Sequence, residues 1–122
     1  MNGSNKNWLT VTNNDLWQGV NGINNPCPAG FRVPTKDELT AEISSWSPAG
    51  STGAFNSTLK FPATGFRMVN YNTLFIGTPG NVTLWSSTIG NNTTLEAWNW
   101  DGVQWYSNEY RNQGFMVRCI KN

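Results

Sequence analysis

"VPTKDELTAEISSW", residues 33–46, is the stretch from which the fold can be read outward. Thr35 can cap a helix with its hydroxyl, and Glu38, three residues on, can reach back to complete a capping box. Leu39 and Ile43, four apart, give the helix one apolar stripe. The pattern predicts a helix that ends near Ser45, before "SPAGSTG" (47–53), which reads as loop. Asp37, Glu38 and Glu42 are then accounted for by a cap and a solvated face. No other stretch carries a helix signal of comparable strength.

Away from this helix the period changes. "NWLTV" (7–11) alternates as a short strand should, and "NGINNPCPAG" (21–30) is a loop dense in Asn, Gly and Pro. From Leu59 onward "LKFPATGFRMV", "TLWSST", "LEAWNW", "VQWYS" and "FMVRCIK" read as short strands between turn clusters. An α+β fold is expected, with one clear helix early and a loop-rich antiparallel sheet later. "NWLTV" is placed to pair with "FMVRCIK", which would join the two ends. With no linker and no internal repeat, residues 1–122 read as one domain.

Composition narrows the function classes. Charged residues make up 12% and the net charge is +1, with the eight Lys and Arg scattered singly. A nucleic-acid binder would gather them into a patch or stripe. No apolar run approaches the roughly 18 residues of a membrane span, so no membrane insertion is expected. No signal peptide opens the chain, and export would depend on another segment or a larger assembly. Seven Trp among many short apolar clusters argue for a folded chain despite its many Asn.

Histidine is absent, which removes the commonest general base and metal ligand. Glu96, Asp101 and Glu109 are the acids that could converge, as a glycosidase pair or as calcium ligands. Nothing in their spacing demands it, and no glycine-rich phosphate loop follows a strand. Neither enzyme activity, nor a cofactor, nor a metal is expected. Cys27 and Cys119 are not spaced like a metal site. So distant a pair fits a structural disulfide best, with two buried thiols in a reducing compartment as the alternative.

Several stretches in order resemble one family. "CPAGFRVPTKDEL" (27–39) is similar to the Cys-Pro-x-Gly-aromatic-x-x-Pro-Ser/Thr segment of the Fibrobacter succinogenes major paralogous domain. "FPATGFR" (61–67), "LWSST" (84–88) and "GFMVRC" (114–119) resemble its later signatures. "FRVPTKDEL" is also similar to a segment of formylglycine-generating enzymes. The match runs from about Trp17 to the C-terminus, while residues up to about Thr12 match only loosely. It implies a C-type lectin-like fold with paired N- and C-terminal strands, a long excursion of loops on one face, and a Cys27–Cys119 disulfide. "DLWQGVNGINNPCPAGFRVPT" (15–35) looks like variable proteins of diversity-generating retroelements, displayed on a phage tail or a cell surface. The reactive cysteine pair of the formylglycine-generating enzymes has no counterpart in Cys27 or Cys119. The Pro triplet of calcium-dependent sugar-binding lectins is missing, and "WNWD" sets Trp100 between Asn99 and Asp101.

In "WNWDGVQWYSNEY" (98–110), Asp101-Gly102 between alternating residues predicts a two-residue hairpin turn. Trp100 would then face Val103, Asn99 would face Gln104, and Trp98 would face Trp105. One face carries Trp98, Trp100, Val103 and Trp105; the other carries Ala97, Asn99, Gln104 and Tyr106. A one-residue slip would exchange the faces. Adenine-directed changes in an Asn codon yield Tyr, Ser, Asp, Gly or Thr but never Trp. Trp98 and Trp100 are therefore expected in the core, with Trp105 left open.

The polar remainder is the candidate ligand-binding face: Asn70, Tyr71, Asn72, Asn91, Asn92, Asn99, Asp101, Tyr106, Ser107, Asn108 and Tyr110. Tyr with small polar residues gives broad, adaptable contact at low entropic cost. Arg67, Arg111 and Arg118 belong to the family-like signatures and are expected to tie loops to carbonyls or carboxylates. The expected protein is a ligand- or receptor-binding domain on a virion or bacterial surface, recognising a surface protein or a glycan. Assembly as a homotrimer within a larger fibre is left open. A fixed-site carbohydrate-binding module and a structural fibre or pilus subunit are the alternatives.

Overall fold

The capped helix forms as the sequence predicts. Helix α1 spans Lys36–Ser44, and Thr35 precedes it in an extended conformation. The Glu38 N–H donates to Thr35 Oγ1 at 3.3 Å, and the Thr35 N–H donates to Glu38 Oε2 at 2.8 Å, closing the capping box. Leu39 is buried and Ile43 packs half-buried beside it. The computed structural model describes residues 7–67, 74–75, 82–90, 96–100 and 105–122.

The core lies between this helix and the central strand β4, Leu84–Ile89. Leu39, Trp46, Ala54, Phe61, Val82 and Leu84 form one buried cluster, with Ile43 and Met116 packed against it. Trp46 and Phe61 meet with ring centroids 5.4 Å apart. The Arg118 guanidinium lies 5.6 Å from the centroid of the Phe61 ring. The Trp46 indole N–H donates to Glu42 Oε1 at 3.0 Å, so its one polar atom stays paired.

A second helix, α2, spans Ser51–Asn56 and begins within the stretch read as loop. Tertiary packing makes it. Ala54 is fully buried, and a Cβ at Gly53 would collide with the Pro48 carbonyl oxygen and meet Trp46 Cβ at 2.9 Å. Gly50 enters the helix at φ 84°, a conformation open mainly to glycine, and its carbonyl accepts from the Ala54 N–H at 2.9 Å. Six residues carry too little periodicity to announce such an element.

The first and last strands pair antiparallel: β1, Phe31–Arg32, with β7, Ile120–Lys121, in the register Phe31↔Lys121 and Arg32↔Ile120. The Cys27–Cys119 disulfide, with Cα atoms 5.8 Å apart, fastens the same two segments. "NWLTV" is not the partner. Residues 7–11 are a run of bends, because the Asn7 side chain captures the local backbone. It accepts from the Leu9 N–H at 3.2 Å and donates to Thr12 Oγ1 at 3.0 Å.

Two short strands, β2 (Phe66–Arg67) and β3 (Leu74–Phe75), form a separate pair. Strand β4 continues into β5 (Glu96–Trp100) and β6 (Trp105–Tyr110) as a three-stranded antiparallel sheet in that order. On the other side of β4 the Trp85 N–H donates to Met116 O at 2.9 Å, and the Met116 N–H donates to Thr83 O at 3.2 Å. Neighbours on both sides explain why Leu84, Trp85, Ser86 and Ser87 are buried in succession.

Candidate functional site

The β5–β6 hairpin rests on β4 through Leu84↔Trp100 and Trp85↔Asn99. Across the hairpin, Trp100 pairs with Trp105, Asn99 with Tyr106, Ala97 with Glu109 and Glu96 with Tyr110. The predicted two-residue turn at Asp101-Gly102 lies outside the described residues. The register is displaced by two residues from the predicted one. Across the backbone ladder Leu84, Trp100 and Trp105 are successive partners, as are Trp85, Asn99 and Tyr106, and the expected core placement of Trp98 and Trp100 lies outside what is described. Trp98 falls at the irregularity between Ala97 and Asn99.

Of the predicted binding residues, the hairpin brings together Asn99, Tyr106, Ser107, Asn108 and Tyr110. Ser107 and Asn108 sit where β6 carries one residue more than its partner, between the pairs Asn99↔Tyr106 and Ala97↔Glu109. Asn70, Tyr71, Asn72, Asn91, Asn92 and Asp101 lie outside the described residues. Glu96 and Glu109 take adjacent register positions, opposite Tyr110 and Ala97. Among the described residues no group of three or more His, Cys, Asp or Glu could hold a metal ion. No described helix is long and apolar enough to cross a membrane.

Beside the hairpin lies an aromatic groove that sequence reasoning missed. Trp85, 5% exposed, meets Phe115 at 4.5 Å, and Phe115 meets Phe66 at 6.0 Å. Leu16, Trp17, Trp85 and Ile89 line the apolar part of the groove, and Trp8 stands at its edge. Trp8 remains 53% exposed and meets Trp17 edge-on at 5.3 Å. Trp17 adopts φ 63°, a left-handed conformation that a bulky residue holds only when its surroundings impose it. Here the Trp17 N–H donates to Ile23 O at 3.0 Å, and Leu16 bridges to Ile23. No sequence pattern signals such a backbone.

Arg111 clamps this loop to the end of β6. Its Nη1 donates to Asn13 O at 3.0 Å and its Nη2 donates to Asn14 Oδ1 at 2.6 Å. Burial pushes its guanidinium below its ordinary pKa. Arg67 instead uses its backbone, exchanging hydrogen bonds with Gly114 at 2.8 and 2.9 Å. The strongest charged contact, Arg32 with Glu38, supports the fold rather than the groove. Arg32 donates from Nη1 and Nη2 to the two Glu38 carboxylate oxygens at 2.7 and 2.6 Å. These bonds, then the Thr35 bonds, outweigh desolvation and hold the Glu38 carboxyl at about 2, well below the ordinary 4.5.

No family model, curated protein or solved structure matches this chain.

Proposed function

We propose that this chain is a non-enzymatic ligand- or receptor-binding domain on a C-type lectin-like scaffold, displayed on a phage tail fibre or a bacterial surface. One observation carries the reading: Asn99, Tyr106, Ser107, Asn108 and Tyr110 fall on a single hairpin that β4 ties to the buried core. A rigid scaffold that carries adaptable polar and tyrosine positions on one outer hairpin is suited to binding by shape and hydrogen bonds. The Cys27–Cys119 disulfide fits an oxidising, extracellular setting. The ligand is a surface protein or a glycan, and retroelement-driven codon change supplies variety at the hairpin.

Sequencing the 3′ half of the gene from many cells or virions of its source population tests this. Substitutions should cluster at Asn70 to Asn72, Asn91, Asn92 and Asn99 to Tyr110, and spare the Trp codons. An invariant 3′ half would overturn diversification and favour a fixed-site module.

A further inference from the structure

We propose that Trp8 and the groove behind it form a fixed subsite for a saccharide that carries an acetamido group. The subsite uses no residue of the hairpin set, so it stands or falls separately from the function proposed above.

The first observation is an exposed ring held in place. Trp8 keeps 53% of its surface in water, yet the Asn7 turn fixes its backbone and Trp17 braces its ring at 5.3 Å. Trp17 is itself held in a left-handed conformation by its hydrogen bond to Ile23, and Arg111 anchors the same loop at Asn13 and Asn14. A braced indole that stays open to solvent offers a flat π-surface, to which the apolar C–H face of a pyranose ring is complementary. Preorganisation matters for such a ligand, because a single sugar gains little energy with which to order a loop.

The second observation is the size and chemistry of the groove. It is half open to solvent and offers about 40 Å³ of space, enough for about three water-sized groups. An acetyl group has three heavy atoms beyond its nitrogen. Its methyl suits walls made by Leu16, Trp17, Trp85 and Ile89. A plain hydroxyl directed at those walls would give up its hydrogen bonds to water. At the lining, Gln18 commits its Nε2 to Leu16 O at 3.1 Å and Ser87 O at 2.7 Å. That orientation leaves its Oε1 as the acceptor for the acetamido N–H. A pyranose on Trp8, a methyl in the slot and an amide bond to Gln18 together describe an N-acetylhexosamine.

The test is saturation-transfer NMR on the full chain with N,N′-diacetylchitobiose and, as its counterpart without acetamido groups, cellobiose. Chitobiose should bind with transfer strongest at the acetamido methyl, and cellobiose should bind about tenfold more weakly. Burial of one methyl gives about fourfold of that difference and the amide hydrogen bond the rest. Trp8→Ala should weaken chitobiose binding about tenfold with the melting transition unchanged, because the ring is half in solvent. Trp8→Phe, which keeps a smaller ring, should fall between and serves if the alanine variant folds poorly. Absence of chitobiose binding, equal binding of the two sugars, or indifference to both Trp8 variants would each overturn the subsite. So would an apolar peptide that binds at Trp8 when neither sugar does. Chitobiose binding that stays intact in Tyr106→Ala would separate this site from the proposed binding face, and its loss there would overturn the placement at Trp8.

Discussion

Replacing Glu38 with Gln removes one carboxylate that serves two elements at once. It closes the capping box of α1 and receives both terminal nitrogens of Arg32, which lies in β1. The gap between its ordinary 4.5 and about 2 corresponds to at most about 3 kcal/mol. Side-chain exposures of 19% for Arg32 and 34% for Glu38 let solvent screen the pair, which reduces the figure to about 1–1.5 kcal/mol. The folded-state pKa is depressed, so this stability is fully present above about pH 4.5 and is lost as pH falls from there through about 2. Urea unfolding of wild type, Glu38→Gln, Arg32→Met and the double variant at pH 7 should give a coupling energy of about 1 kcal/mol. At pH 2.5 the coupling should shrink, and wild type should have lost more stability than Glu38→Gln. A coupling under about 0.3 kcal/mol at pH 7, or parallel acid losses in wild type and variant, would refute the reasoning.

Other perturbations probe the core, the clasp and the second helix. Phe61 is 1% exposed between Trp46 and Arg118, and Phe61→Ala should cost about 3–5 kcal/mol in urea unfolding. Opening the Cys27–Cys119 bridge, which spans 92 residues, should remove up to about 4–5 kcal/mol on the chain-entropy account. Calorimetry of the Cys27→Ala/Cys119→Ala variant would register this as a fall in Tm of on the order of 10 °C or more. Gly53→Ala puts a methyl against the Pro48 carbonyl and should destabilise by about 2 kcal/mol or more, read as a lower urea midpoint. Arg111→Met frees Asn13 and Asn14 from their clamp, so hydrogen exchange at the Trp17 amide should accelerate while Leu39 stays protected.

What the sequence determined was local chemistry. Thr35 and Glu38, three residues apart, specify the start of α1 wherever the helix docks, because both capping partners lie within one turn. "TLWSST" reads as a short strand between turn clusters, and β4 begins at Leu84. The alternation in "LEAWNW" and "VQWYS" marks the two strands, while their register came out two residues from the one counted from Asp101-Gly102.

What tertiary structure decided were the elements whose reasons are remote. The pairing of Ile120–Lys121 with Phe31–Arg32 depends on a disulfide and on ladder bonds across the whole chain, whereas the alternation in "NWLTV" lost to one Asn side chain. Helix α2 exists because Ala54 is buried and Gly53 lets Pro48 and Trp46 come close. The aromatic groove was the least legible feature. Its walls come from residues about seventy positions apart, and the left-handed turn at Trp17 is held by a hydrogen bond to Ile23. Periodicity records which face of an element is apolar; only the packed chain decides which exposed ring stands beside which cavity.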